Sequence, residues 1–127
     1  MKNIRQPCTL DYSKLIGTPY NIQDCWGIAR EFYRIVFNID LKRYYDEIPQ
    51  NRDIAKGLVY TNKGDFKEVS SPQFGDLILI KLFGIESHIA IYIDENTILH
   101  TQHRVGCNLD KLSKWKRLIV GYYRLEE

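Results

Sequence analysis

The 127-residue sequence predicts an α+β fold, in which a helix near the N-terminus packs on an antiparallel sheet of about five strands. Two patterns support this fold class. Apolar side chains recur at helical spacing after residue 25, and the second half alternates short apolar segments with turn residues. A helix followed by consecutive strands is typical of α+β proteins. The length suits a single domain, residues 1–127, with its own hydrophobic core.

The predicted helix begins beside Cys25. Asp24 precedes it, and aspartate is a favoured N-cap because its carboxylate accepts a hydrogen bond from a first-turn amide. Asn38 follows the last apolar position, where a helix is expected to stop. A short helical turn is also expected at residues 13–16. The apolar face of the helix consists of Ile28, Ala29, Phe32, Ile35 and Val36.

The rest of the chain is predicted to supply the sheet. Residues 39–72 are mostly polar and are broken by proline and glycine. Short helices are predicted at 41–46 and 51–56, and residues 66–69 fit either a short strand or a connector. The strands are predicted at residues 77–82, 88–93, 98–101 and 118–125.

Composition argues against several classes of protein. A net charge of +2 gives no strong argument for nucleic-acid binding. No run approaches 18 apolar residues, so no membrane span is predicted. The opening segment MKNIRQPCTLDY lacks the apolar region of a secretory signal, so synthesis in a cytoplasm without a signal peptide is expected.

The three cysteines do not form a metal or dithiol motif. Cys8, Cys25 and Cys107 include no C-x-x-C spacing, and an odd number leaves at least one thiol free. A metal site formed by His100, His103 and Cys107 is disfavoured, because H-x-x-H on a strand points the two rings apart. No cofactor and no metal are predicted.

Cys25 is the candidate nucleophile. A cysteine attacks as its thiolate, and the unpaired amides and dipole of a helix N-terminus stabilise that anion. The same amides can face a developing oxyanion. The alternative is a buried cysteine that only fills space, which is commoner when a helix cysteine is considered without its context.

His88 and His100 are the candidate partners of Cys25. In a strand, His88 shares a face with Ala90, while the neighbouring isoleucines point to an apolar core. His100 comes to that same face only if the hairpin has an odd-length loop or a bulge; a strict two-residue loop at 95–96 would put it on the other face. With the bulge, His88 can act as general base and His100 can orient its ring.

These residues resemble the NlpC/P60 family of papain-like cysteine peptidases that cut bacterial cell-wall peptides. The matching segments are GTPY, DCWG at a helix start, FGDLILI, SHIAIYI and ILHT, which together span about residues 15–101. The resemblance implies a papain-like fold with Cys25 as nucleophile, His88 as base and His100 as the third polar residue. It also implies that Tyr20, Asp24 and Ser87 lie around the oxyanion hole and substrate.

Trp26 stands where a small hydroxyl residue is commoner in the family, and it could narrow the groove or anchor the helix. The DCWG helix continuing as IAREFYRI, and the final GYYR, look most like the phage tail-assembly branch. That branch implies hydrolysis of the bond between γ-D-glutamate and the diamino acid of a peptidoglycan stem peptide. It also implies phage tail proteins as partners and a place in the virion tail, acting in the host periplasm or cell wall.

Two alternatives stay open. One is a non-catalytic tail protein with a vestigial site; the other is an acyltransferase or a deamidase-type toxin that uses the same cysteine and histidine. An active nucleophile predicts a depressed thiol pKa for Cys25, whereas a vestigial site predicts an ordinary or buried thiol. Trp115, within a Lys- and Arg-rich segment, is most simply part of a solvated helix or turn, and could also contact an anionic glycan or a partner.

Overall fold

The fold is given by a computed structural model that describes residues 11–20, 24–41, 66–82, 85–102 and 104–125, with residues 85–87 described by their backbone. A 3₁₀ turn (Tyr12–Leu15) precedes helix α1 (Cys25–Phe32), which continues into a π-helical turn (Tyr33–Phe37). Helix α2 (Leu112–Trp115) is followed by a 3₁₀ turn (Lys116–Leu118). The strands are β1 (Phe66–Val69), β2 (Leu77–Leu82), β3 (Ile85–Asp94), β4 (Thr97–Gln102), β5 (Gly106–Lys111) and β6 (Ile119–Leu125).

The sheet has six strands in the order β1-β6-β2-β3-β4-β5, and all neighbours are antiparallel. The α+β class, with a helix packed on an antiparallel sheet, is therefore confirmed. The count of about five strands was one too low, because β5 was not predicted. Its sequence GCNLDK contains glycine, asparagine and aspartate, which are depleted in strands.

Helix α1 begins and ends where the sequence predicts. The Gly27 N–H donates to Asp24 Oδ1 at 2.8 Å, so Asp24 is the N-cap. The helical run ends at Asn38, which takes a left-handed conformation with φ of 57°. The last turn is π-helical, and Tyr33 within it donates its hydroxyl hydrogen to the Gly75 carbonyl at 2.6 Å. This bond fixes the end of the helix to the segment that leads into β2.

Both faces of the sheet are covered by apolar side chains. Helix α1 packs on one face, where Ile28 and Phe32 lie in the same core as Ile89 and Ile91 of β3. On the opposite face, a second core contains side chains from β2, β3, β4 and α2: Ile78, Ile80, Ala90, Ile98, Leu112 and Trp115. Helix α2 therefore covers the face that carries Ala90.

Some predictions lie outside the described residues. These are the short helices at 41–46 and 51–56, apart from Leu41, and the positions of Cys8 and His103. The single domain over residues 1–127 also stays a prediction. Across the described ranges, no helix combines the length and apolar character needed to cross a bilayer.

Candidate active site

Cys25 is the first residue of α1 and lies against strand β3. Its side chain is buried, with 8% of the residue exposed. The backbone N–H groups of Ile89, Trp26 and Cys25 itself favour the thiolate form of the sulfur. Because Ile89 directly follows His88, this contact places the Cys25 sulfur beside the His88–Ile89 peptide bond. The start of α1 and strand β3 thus place Cys25, the candidate nucleophile, beside the residue that follows His88, the candidate base.

Burial dominates the ionisation of Cys25. Burial raises the pKa of the Cys25 thiol to about 12, and the neighbouring Asp24 carboxylate adds to the increase. The three backbone N–H groups lower this pKa but do not offset the loss of solvent. A raised thiol pKa is the behaviour that the sequence analysis associates with a vestigial site, and it means that Cys25 is not ionised before a substrate binds.

His88 and His100 meet through a bulge in the β3–β4 hairpin. The turn has two residues, with Asp94 paired to Thr97, but the register shifts by one at Ile93. Ile91 then pairs with Leu99, and one further step in that register sets Ala90 opposite His100. The structure therefore has the bulge that the same-face arrangement requires, and His88 Nε2 lies 2.9 Å from His100 Nδ1.

Both rings are buried and neutral at physiological pH. Burial lowers the pKa of His88 to about 3, and the adjacent His100 adds to the decrease. Burial also lowers the pKa of His100, although the hydrogen bond from His100 to the Asp110 carboxylate and the charge of that carboxylate partly oppose this effect. The His88–His100 bond occupies Nε2 of His88. Nδ1 is therefore the ring nitrogen that this bond leaves available.

Asp110 and Trp115, which the sequence did not indicate as site residues, extend the hydrogen bond between His88 and His100 into a longer chain. His100 Nε2 lies 3.2 Å from Asp110 Oδ2 on β5, and the Trp115 indole N–H donates to the same oxygen at 2.9 Å. The Trp115 ring lies 5.0 Å from the His100 ring and 6.1 Å from the His88 ring, centroid to centroid. Trp115 is buried, so its assignment to a solvated helix or turn was wrong.

Tyr20 is held near the nucleophile by the loop that precedes α1. The Cys107 N–H donates to the Thr18 carbonyl, and the Gly17 N–H donates to the Cys107 carbonyl, both at 2.8 Å. These bonds attach the loop to β5. Burial raises the pKa of Tyr20 to about 12, and interactions with Cys25 and Asp24 add to the increase. Tyr20 thus lies near both residues with its hydroxyl protonated, able to donate a hydrogen bond.

The remaining candidates fall in different places. Trp26 is 2% exposed and packs edge-on to Phe66, with ring centroids 6.5 Å apart, so its side chain anchors the helix and does not line a groove. Its backbone N–H is one of the groups that favour the thiolate form of Cys25. Ser87 lies on β3 directly before His88, and its side chain is outside the described part of the structure.

Within the described ranges, no group of three or more His, Cys, Asp or Glu side chains could hold a metal ion.

Comparison with known families agrees with this geometry. The family model described as NlpC/P60 family matches residues 14–124. The chain belongs to the NlpC/P60 family. This family generally consists of cysteine peptidases that act on peptidoglycan. A search of curated protein sequences finds no match.

The fold of this NlpC/P60 domain is also similar to a solved structure. That structure is described as a protein similar to lipoprotein, NLP/P60 family, from Staphylococcus aureus subsp. aureus Mu50. The TM-score is 0.65 at 23% identity, and the match covers 91% of this chain but 39% of the other. The likeness supports the papain-like fold, and the chain spans well under half the length of that protein.

Proposed function

We propose that this chain is a cysteine peptidase that hydrolyses peptidoglycan stem peptides. The observation that carries the proposal is the placement of Cys25, at the capped start of α1, beside the backbone of His88, whose ring is hydrogen-bonded to His100. A nucleophile, a base and a residue that orients the base are the parts that covalent acyl transfer needs. Membership of the NlpC/P60 family supports peptidoglycan as the substrate.

The reaction would proceed through a thioester. His88 Nδ1 accepts the thiol proton as Cys25 Sγ attacks the scissile carbonyl carbon, and the carbonyl oxygen becomes an oxyanion. The N–H groups at the start of α1 and the Tyr20 hydroxyl are suited to donate to this oxyanion. The C–N bond then breaks, and His88 gives its proton to the leaving amine. Water, deprotonated by His88, hydrolyses the thioester and restores the thiol.

This mechanism starts from a neutral thiol and a neutral imidazole. Both pKa shifts arise mainly from burial, so transfer of the proton has to be coupled to attack on a bound substrate. The charge that develops on sulfur is passed to the substrate oxygen, where the helix amides can stabilise it. A preformed thiolate–imidazolium pair is not required.

The proposal also covers which bond is cleaved and where the protein acts. We assign the bond between γ-D-glutamate and the diamino acid as the one cleaved, and the tail tip of a phage or prophage as the site of action. The support is the resemblance of the segments DCWGIAREFYRI and GYYR to the phage tail-assembly branch of the family, which rests on the sequence alone. Detection of this chain by mass spectrometry in purified tail fractions, together with other tail proteins, tests the setting; a chain found only in the cell lysate contradicts it.

Mass spectrometry of digested peptidoglycan tests the activity. Incubation with the purified chain should release fragments that end at γ-D-glutamate, and Cys25→Ala and His88→Ala should each abolish the release. Cys8→Ala and His103→Ala are matched controls, since they remove a thiol and an imidazole that the proposal does not use. Unchanged release by either site variant contradicts the proposal.

A second candidate function is a non-catalytic protein with a vestigial site. The burial of Cys25 and the raised pKa of its thiol favour this alternative. It predicts that no fragment is released from any stem peptide and that Cys25 does not react with a peptide aldehyde, which traps active cysteine nucleophiles. A Cys25 adduct with such an aldehyde excludes it.

A further inference from the structure

The chain of hydrogen bonds that starts at His88 ends on a carboxylate. Asp110 Oδ2 receives the Trp115 indole N–H at 2.9 Å and lies 3.2 Å from His100 Nε2. Its other oxygen, Oδ1, accepts the Lys111 backbone N–H at 2.8 Å. Lys114 lies 3.6 Å away on the exposed side. The burial of Asp110 raises the pKa of its carboxyl, but these hydrogen bonds and the Lys114 charge hold the pKa below its usual value.

An ionised carboxylate can only accept hydrogen bonds, and this fixes the proton positions on both rings. His100 Nε2 must carry a hydrogen to satisfy Asp110, so in a neutral ring His100 Nδ1 has none. His88 Nε2 must then donate to His100 Nδ1. Neutral His88 is therefore left with an unprotonated Nδ1, which is the form of the ring that can take a proton from Cys25.

The reverse arrangement shows why the carboxylate matters. If His100 carried its hydrogen on Nδ1 and donated to His88, the lone pair on His100 Nε2 would face the negative Asp110 oxygen. His88 would then hold its hydrogen on Nδ1 and could not act as a base. A neutral side chain at position 110 removes the charge that disfavours this arrangement.

We propose that Asp110 is a positioning residue that sets the tautomer of His88 through His100. The inference rests on the proposed function in one respect, since it assigns His88 as the base for Cys25. Trp115 supports the role in two ways: its N–H orients the Asp110 carboxylate, and its ring lies edge-on against His100. The geometry thus extends the site to a fourth polar residue, on strand β5.

The test measures ring protonation directly by two-dimensional ¹⁵N–¹H NMR of the histidine side chains at pH 7.5. In the wild-type protein, both rings should be neutral, with hydrogen on Nε2 and none on Nδ1. Asp110→Ala should give a substantial population of His88 with hydrogen on Nδ1. Asp40→Ala is the matched control, because it removes a carboxylate whose side chain is 92% exposed and should leave both rings unchanged.

A kinetic readout accompanies the spectra. The rate at which Cys25 adds to the carbonyl of a peptide aldehyde, an attack that needs transfer of the thiol proton to His88, should fall about 100-fold in Asp110→Ala, the lower end of the range for loss of a general base. Added formate, which can occupy the space left by the carboxylate, should restore part of the rate. Asp40→Ala should keep the wild-type rate with or without formate.

Two results would overturn the inference. One is wild-type His88 carrying its hydrogen on Nδ1, a measurement that needs no variant and so does not depend on whether Asp110→Ala folds. The other is an unchanged His88 tautomer in folded Asp110→Ala. Neither readout uses peptidoglycan. Failure of the wild-type protein to cleave peptidoglycan, with the expected tautomers present, would count against the proposed function and leave the role of Asp110 supported.

Discussion

His88 Nε2 and His100 Nδ1 lie 2.9 Å apart although the turn between their strands has only two residues. A regular two-residue hairpin would place the two rings on opposite faces of the sheet, because side chains alternate along a strand. The bulge at Ile93 adds one residue to β3 and restores the shared face. The His–His contact is therefore produced by the hairpin backbone, and the flanking strands hold it.

We expect His100→Ala to lower kcat/KM for a stem peptide by about 100-fold or more, within the range for losing the residue that orients a general base. The substitution leaves the buried His88 Nε2 without its partner and frees the ring to rotate. His100→Asn keeps a side-chain amide near this position, so a smaller loss is expected. Circular dichroism checks that both variants fold, and wild-type activity in His100→Ala contradicts the orienting role.

Much of the site could be predicted because it depends on local sequence. Asp24 signals a helix start, which places Cys25 at its first turn, and both features are present. The alternation of His88, Ala90 and the neighbouring isoleucines indicates which face each side chain occupies. The sequence also showed that the β3–β4 hairpin needs an odd-length loop or a bulge to bring the two histidines to one face. Whether the protein has the bulge or the longer loop depends on how the strands pair, which local patterns do not determine.

Asp110 and Trp115 were not predicted as site residues because their positions depend on contacts between segments that are distant in the sequence. Strand β5 pairs with β4 along its whole length, so residues with weak strand propensity such as Asn108 and Asp110 are held in the sheet by their neighbours. Trp115 lies between lysines in the sequence, and only the packing of α2 on the sheet shows that it is buried. A buried tryptophan five residues after an aspartate is a signal visible only once the fold is known.

The pH dependence of Cys25 alkylation should report a buried neutral thiol. Burial raises the pKa of Cys25 to about 12, so the thiolate fraction, and with it the rate in the free protein, should rise about tenfold per pH unit between pH 7 and pH 10. Peptide mapping separates Cys25 from Cys107, whose pKa burial also raises, to about 11. A rate that levels off near neutral pH would show a thiolate–imidazolium pair instead.

Stability should fall in acid because His88 is buried as a neutral ring. The pKa of His88 is about 3 in the folded state and near 6.5 when unfolded, so the unfolded chain binds the proton first as the pH drops. This contribution is complete above pH 6.5 and is lost progressively towards pH 3. Between pH 7 and pH 5, its loss lowers the free energy of unfolding by about 2 kcal/mol.

Urea denaturation of the wild-type protein and His88→Gln at these two pH values measures this contribution. The variant should lose about 2 kcal/mol less than the wild type between pH 7 and pH 5, whatever its absolute stability. His100 titrates in both proteins and so cancels to first order in the comparison. Equal losses in the two proteins would show that His88 is protonated in the folded state.

The loop that carries Tyr20 should be sensitive to Gly106. Gly106 has φ of +82°, and a Cβ added there would lie 2.7 Å from the Thr18 carbonyl oxygen. Gly106→Ala therefore has to push this loop away from β5, breaking the Cys107–Thr18 bond and moving Tyr20 from Cys25. We expect a loss of stability of more than about 1 kcal/mol, together with reduced kcat/KM.

Gly17→Ala is the matched control for this prediction. Gly17 has φ of +96°, so alanine meets comparable backbone strain there, but an added Cβ has no atom within 4 Å. Both variants should lose stability in urea denaturation, whereas Gly106→Ala alone should lower activity beyond the loss of folded protein. The difference arises because the added Cβ collides with the Tyr20 loop at position 106 and meets no atom at position 17. Equal effects of the two substitutions on kcat/KM would mean that backbone strain, and not displacement of the Tyr20 loop, limits the activity.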